Sequence, residues 1–585
     1  MSTRPTLPRW LFVDANGNPR VGAKLYTYET GTSTPKPTYS DAGLTVPNAN
    51  PMISDADGYF SDIFLASGAY RFRLTTSADA QIWQADDIEG GSTALPLTGG
   101  TMTGFITLHA DPTQPLHAVT KQYVDNKIPV SVKDYGAVGN GSTDDTAAVQ
   151  AAVDAVIAAN GGSLFFPRGS YLVTSTILID PSLAPQGSAS VRLFGEGRLR
   201  SSLFSNVAGT RVLEFRGARG SLEHMSVYNN NFTAASTGSL IMLNNTTQFS
   251  MSDCWIQGGF HTLYIFGDGC TDSNIVNCSF TFASGTANVR VQRPGTTGQN
   301  GAHRFRGCIF NQGWPVSNPS AANFKGARAN TTAYSVGDVV EVTFGGLSYR
   351  IQCRVAGTSG GSAPSAPSWY GVDIEDGAVL RWRLVGTTAY RGVLFDGLTF
   401  YNWMHQCDVT GPYTSSVSFE DTSSTGTWSR SCFISECTIH GPVTNGVSLG
   451  SGTSKIKLLG LNFLPLNDAT TRFIGVAGQQ HEITDCDGYN AGVGINLGGV
   501  RCSAIGNAFT GGTDGILLTG AAEQNRVIGN NVGVGPAGAT TTNGVRLQSG
   551  AARNVVLGNV AYPATNPIVD SSGSGTNIIA NNIIT

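Results

Sequence analysis

The chain has 585 residues, 74 of them glycine, with only 13% charged residues and a formal net charge of −4. That length predicts several domains unless repeats extend one of them, and so little charge on an ordinary apolar content excludes intrinsic disorder. The charge balance offers no basic face for nucleic acid, so neutral or anionic glycans are the open class of partner.

No stretch approaches membrane-spanning length, and the opening MSTRPTLPRWLFVDANG lacks the apolar core of a signal peptide. The expectation is a protein made and folded in a cytoplasm, leaving it by lysis or as part of a particle. The ten cysteines include no cluster at metal-ligand spacing. They are expected to be reduced and packed, with no metal and no cofactor.

Residues 1 to 90 predict a small β domain. Asp14-Ala15-Asn16-Gly17 and Asp55-Ala56-Asp57-Gly58 mark turns between alternating strands such as Lys24–Tyr28 and Tyr70–Leu74. Neither aspartate run begins a full EF-hand loop, so turn formation rather than calcium binding is expected. The order LFVDANGNPRVGAKLYTYETGTSTPKPTY, NPMISDADGYF, GAYRFRL and IWQADDI resembles the amino-terminal domains of phage tail fibres and tailspikes. That resemblance implies attachment to the virion.

Residues 91 to 129 change character. The string LPLTGGTMTG followed by DPTQPLHAVTKQYVDNK is similar to a neck element of phage tail fibres, which implies trimerisation.

From Val130 the chain predicts one strong helix. Asp144 reads as its N-cap, Asp145 adds charge to the first turn, and Val149, Ala152, Val153, Val156 and Ile157 recur at helical spacing. Asn160-Gly161-Gly162 stops it. The run VKDYGAVGNGSTDDTAAVQAAVDA with GGSLFFPRGSYLV resembles the opening of the pectate-lyase-like right-handed parallel β-helix of tailspikes and some polysaccharide-degrading enzymes. In that family the helix caps the end of the coil, so Asp144 and Asp145 are expected to be structural.

Beyond residue 190 a short motif returns as DCWI, NCSF, GCIF, DGLTF, ECTI, GLNF, DCDG, GNAF, NNVG, GNVA and NNII. Cys254 and Cys278 lie 24 apart, as do Cys437 and Leu461. A period in the low twenties with one short strand segment per repeat predicts a solenoid. Together with the resemblance at Val130, which implies the right-handed parallel β-helix, the fold class expected is all-β: a single-stranded right-handed parallel β-helix over 130–585. It would run to Asn581–Ile584, leaving no room for a separate C-terminal domain. Cysteine and then asparagine would stack inward, through Cys254, Cys278, Cys308, Cys437, Cys486, Asn507, Asn531 and Asn559.

Between Cys308 and Gly397 the repeat is interrupted. Residues 326–387 read as an inserted β module that resembles small, often carbohydrate-binding, modules of phage tail proteins and chitin-active enzymes. Trp369 and Trp382, with Tyr334, Tyr349 and Tyr370, are either sugar-stacking faces or the module's own core.

If the cysteines point inward, the residue before each points outward. Asp396, Glu436 and Asp485 would then form an acidic stripe. Asp396 and Glu436 on adjacent rungs would stand ~5 Å apart, and Glu436 and Asp485 ~10 Å apart, bracketing the retaining and inverting separations of glycoside hydrolases. Glu420 and Asp421 are further carboxylate candidates, and Asp408 another; a merely solvated acidic face is the alternative. Trp403, His405, Tyr413, Trp428, Arg430 and His440 fall around this stripe and suit a glycan. Glu436 and His440, four apart, would share one strand face. No Asn-Thr-Asp or Gly-His-Gly of the polygalacturonase pattern is present.

The reading is a homotrimeric phage tailspike, assembled in the host cytoplasm and carried on the virion. It would engage baseplate or tail proteins through its N-terminal domain, and bind and hydrolyse a bacterial capsular polysaccharide or lipopolysaccharide. A non-catalytic tail adhesin or a polysaccharide lyase are the alternatives.

Overall fold

The computed structural model describes residues 10–90 and 129–584, except 187–188, 218, 232–237, 284, 296–297, 299, 312–323, 345–346, 366–372, 388–390, 412–414, 422–428, 442–444, 465–467, 490, 534–540 and 562–563. The neck segment and Trp369, Tyr370, Tyr413 and Trp428 fall outside the described residues. The chain divides into two compact units, Met1–Asp111 and Pro112–Thr585.

In the first unit a four-stranded antiparallel sheet is ordered Met52–Ile53, Lys24–Glu29, Gly68–Thr75, Gln81–Gly90. Alternation along Gly68–Thr75 sends Tyr70, Phe72 and Leu74 into one core with Leu25 and Phe60. Asp14 accepts from the backbone of Asn16 and Asn18, and Asp55 from that of Asp57 and Tyr59. Both aspartates close turns.

The second unit is a parallel β-helix. Three sheets of 15, 12 and 13 strands, counted among the described residues, run its length. A complete rung gives one strand to each sheet, as in Arg304–Arg306, Ile309–Asn311 and Arg391–Asp396, whereas the last rungs meet the second sheet only through bridges at Asn531, Val560 and Ile583. Neighbouring strands along these sheets are parallel, with register shifts at Asn140–Asp144 and Asp468–Arg472, and elsewhere in step: Phe305 lies opposite Met404, which lies opposite Ile434, which lies opposite Leu458. This inward column repeats an apolar residue at rung spacing, and truncating such a residue costs roughly 2–5 kcal/mol. The inward faces form one continuous core from Val132 to Ala561.

The helix Thr146–Ala158 covers the first rungs, burying Val149, Ala152, Val153, Val156 and Ile157. Its cap differs from expectation by one residue. Asp145 holds the cap position with no side-chain cap bond, because its buried carboxylate accepts from the backbone of Val138 and Gly139 instead. Asp144 supplies the cap-like bond, accepting from the Thr146 backbone at 3.0 Å. Both carboxylates are structural.

Two columns of inward residues flank the first sheet. One runs Cys254, Cys278, Cys308, Cys407, Cys437, Leu461, Cys486, Asn507, Asn530, Asn559; all six of these cysteines are free and buried, as are the other four. The expected Asn531 is displaced by Asn530, whose Oδ1 accepts from both the backbone and the amide of Asn507 at 2.9 Å. The other column carries its own amide relay, Asn525 to Asn554 to Asn577. Each ladder amide also donates to a backbone carbonyl, so no buried polar group in the relay goes unpaired.

The inserted module has a separate five-stranded sheet and its own small core. Trp382 is fully buried there, stacked edge-on against Tyr334 at 4.9 Å and donating to Asp376 at 2.7 Å. Neither ring is a sugar-stacking face, because a small sheet needs its largest aromatics for its core.

Candidate functional site

The acidic stripe expected on one face is divided by the structure between two places. Asp396 does not share a column with Glu436. It ends a strand of the third sheet, where its Cα partners are Gln292 and Glu420. The rung residue opposite Cys308 is Cys407, in MHQCDVT, so Gln406 precedes Glu436 in the true column.

Asp396 and Glu420 are therefore the carboxylates on adjacent rungs. Asp396 is fully buried and takes both Nε and Nη2 of Arg290; Glu420 takes Nε and Nη2 of Arg391 and the Ser418 hydroxyl. Two like charges ~5 Å apart coexist because each has its own guanidinium. Clamped this way, neither carboxylate is a general acid, and the pair forms a charge-balanced floor. Asp421 follows Glu420, half-buried.

The second place is the corner between the first and second sheets. Here Asp253, Asn277, Gly307, Gln406, Glu436, Gly460, Asp485, Gly506, Gly529, Gly558 and Asn581 occupy successive rungs, every one with φ between +51° and +68°. The corner needs a left-handed residue on each rung, which favours glycine, asparagine and aspartate. Glu436 and His440 consequently do not share a strand: Glu436 is the turn between Phe433–Ser435 and Thr438–His440.

Glu436 and Asp485 flank Gly460, two rungs apart. Glu436 is exposed and accepts from Gln406 Nε2 at 3.1 Å. Asp485 leans the other way, since a Cβ on Gly506 would stand 2.7 Å from its Oδ1. Past the corner, the outward column of the second sheet reads Asp408, Thr438, Asn462, Asp487. Beside it runs Asn311, Thr410 and His440.

Electrostatics separate these groups. Among the described residues, Asp487 is the carboxyl raised above its ordinary value, by partial loss of hydration, although its side chain is exposed. Burial lowers His440, and the charge of Asp408 opposes that shift. The residue-by-residue reading missed Asp487, although the string DCDG offered it alongside Asp485. Burial pushes the thiols of Cys432 and Cys486 up to about 12, which removes them as nucleophiles. Among the described residues no three His, Cys, Asp or Glu side chains form a metal-holding group.

The aromatic and basic candidates lie mainly on the first sheet. Trp403 is 49% exposed, with the Arg304 guanidinium 5.7 Å from its ring centre. His405 Nδ1 is 2.9 Å from the Ser435 hydroxyl, and Arg430 is exposed. Among the described candidates, His440, on the second sheet, is the one that joins Asp408 and the corner carboxylates.

Comparison with known proteins agrees with this architecture over part of its length. Residues 129–313, less than half of the chain, match the family model "Rhamnogalacturonase A/epimerase, pectate lyase-like". This β-helix is thus pectate-lyase-like in that segment. Mannuronan C5-epimerase AlgE3 of Azotobacter vinelandii is 57% identical over 44 residues, 8% of this chain. The chain spans only 2% of that relative's length.

Among solved structures, bacteriophage CBA120 tailspike protein 3 has a TM-score of 0.47 at 11% identity, covering 80% of this chain and 64% of its own. PfbA, a surface adhesin of Streptococcus pneumoniae, has a TM-score of 0.46 at 12% identity, covering 71% and 93%. The coil itself is established by the rung register of this chain.

Proposed function

We propose that this protein is a phage tailspike that binds a bacterial surface polysaccharide along the second sheet and shortens it by glycoside hydrolysis. The observation carrying the reading is the open polar column Asp408, Thr438, Asn462, Asp487 beside Glu436 and Asp485. Hydrogen-bonding groups repeat there at rung spacing, ~5 Å, which suits a polymer lying along the coil axis. Virion attachment through the first unit, trimerisation at the neck and action at the cell surface belong to the same reading and rest on the tail-fibre resemblance.

Asp487 is the assigned general acid: it stands exposed in this column, and partial loss of hydration raises its carboxyl above the ordinary value. Glu436 and Asp485, exposed in the open corner, are the candidate bases. Capsular polysaccharide or lipopolysaccharide from the host, incubated with the protein and sized by chromatography, is expected to shorten. Asp487→Asn is expected to lower the rate at least 100-fold with binding retained. An unsaturated product absorbing in the ultraviolet would replace hydrolysis by elimination, and full activity of Asp487→Asn would remove it from the site.

Binding without cleavage is the second reading. It is favoured by the arginine clamps on Asp396 and Glu420, and by the backbone requirement that by itself accounts for the aspartates of the corner. Retained binding with no shortening would establish it.

A further inference from the structure

The first sheet carries a surface of different chemistry from the acidic corner. Arg304, Trp403 and Phe433 are successive Cα partners on its outward face, and Arg306, His405 and Ser435 form the next column. Tyr401, two residues before Trp403, occupies a left-handed turn and is 63% exposed. Arg430 pairs across the rungs with Phe400, immediately before Tyr401. Lys455 lies at the equivalent turn one rung beyond Ser431.

These cations stand on neighbouring rungs beside two exposed rings. Elsewhere on the coil Arg192, Arg216, Arg290, Arg391 and Arg546 each hold a carboxylate. Arg304, Arg306, Arg430 and Lys455 are exposed and form no ion pair among the described residues. The neighbouring acid along the strand column, Glu482, is held by Lys457 at 2.7 Å. Four uncompensated cations thus surround two exposed rings in a chain whose net charge is −4.

We infer that this platform is a subsite for a sugar unit carrying a negative charge, whether carboxylate, phosphate or sulfate. The inference rests on the glycan-binding reading above and adds the class of glycan. The faces of Tyr401 and Trp403 accept the apolar side of a pyranose ring. The planar guanidiniums of Arg304 and Arg306 match a carboxylate or phosphate with paired hydrogen bonds, which a neutral sugar cannot supply.

Calorimetric titration of the full chain with hexagalacturonate, and with its fully methyl-esterified neutral counterpart, tests this. The acid is expected to bind at least tenfold more tightly than the ester, with a preference that falls as salt rises. Arg304→Ala/Arg306→Ala is expected to abolish that preference without weakening the ester, whereas Arg304→Lys/Arg306→Lys retains it in part. Trp403→Ala is expected to weaken both ligands. All three positions face outward, so unchanged melting of the variants confirms that they fold.

Equal binding of acid and ester, or a preference that survives the double alanine variant, overturns the inference. Binding of neither ligand also overturns it and leaves the glycan reading to the polysaccharide-sizing assay.

Discussion

Glu436 combines two demands that pull against each other. Its φ of +51° belongs to a corner that carries Gly460 on the next rung and Gly506 three rungs on, while its exposed carboxylate borders the proposed groove. A non-glycine residue held left-handed costs on the order of 1–2 kcal/mol. Glu436→Gly is therefore expected to leave the melting temperature unchanged or slightly raised while slowing polysaccharide cleavage. Glu436→Val, β-branched in the same geometry, is expected to lose roughly 1–2 kcal/mol in a denaturant titration. A stable, fully active glycine variant would show that the acid at this corner serves only the turn.

At the same scale, the sequence reading found Glu436 and Asp485 but attributed their exposure to strand alternation. It had no means of seeing the left-handed turn, because aspartate, asparagine and glycine in one column fit a solvated stripe and a conformational requirement equally well. Trp382 was open to two readings for a related reason: composition does not say which aromatics a small sheet uses for its own core.

The internal columns set the pH response of the coil. His261 and His303 are buried with folded values lowered from 6.5 to about 3, and His481 to about 4, in each case chiefly by loss of hydration. His481 accepts the Ile456 backbone N–H on its Nδ1, a neutral-ring role. Such imidazoles bind protons in the unfolded chain before they do in the folded one. Their contribution is fully present above pH ~6.5 and is lost as pH falls from there toward 4 and then 3, at up to about 1.4 kcal/mol per pH unit for each histidine. Denaturant midpoints should be flat above neutrality and fall below pH ~6. His303→Asn, a residue the neighbouring columns already use, should flatten that fall; an unchanged pH profile would place the sensitivity elsewhere.

For the whole molecule, the solenoid was legible because one short motif recurs through the chain, and the fold follows from stacking it. The failure came where the repeat is broken. Residues 312–390 separate the strand Ile309–Asn311 from Arg391–Asp396, which both belong to one turn of the coil. Counting from Cys308 across that insertion made Asp396-Gly397 look like the next rung motif, whereas Cys407 is the residue that continues the column. One slipped motif moved a buried, arginine-bound carboxylate onto the open face and paired it with the wrong partner. Asp396 and Glu420 do stand on adjacent rungs, but that adjacency depends on pairing within the third sheet, which a motif in the first-to-second corner does not encode.

The central claim is that a polysaccharide lies along the outward face of the second sheet, across several rungs. Hydrogen exchange of the full chain with and without host surface polysaccharide measures this most directly. The account predicts added protection at Asp408–Thr410, Thr438–His440, Asn462–Phe463 and Asp487–Tyr489, segments far apart in sequence and consecutive in the stack. Saturating polysaccharide that leaves all four segments unchanged would contradict it.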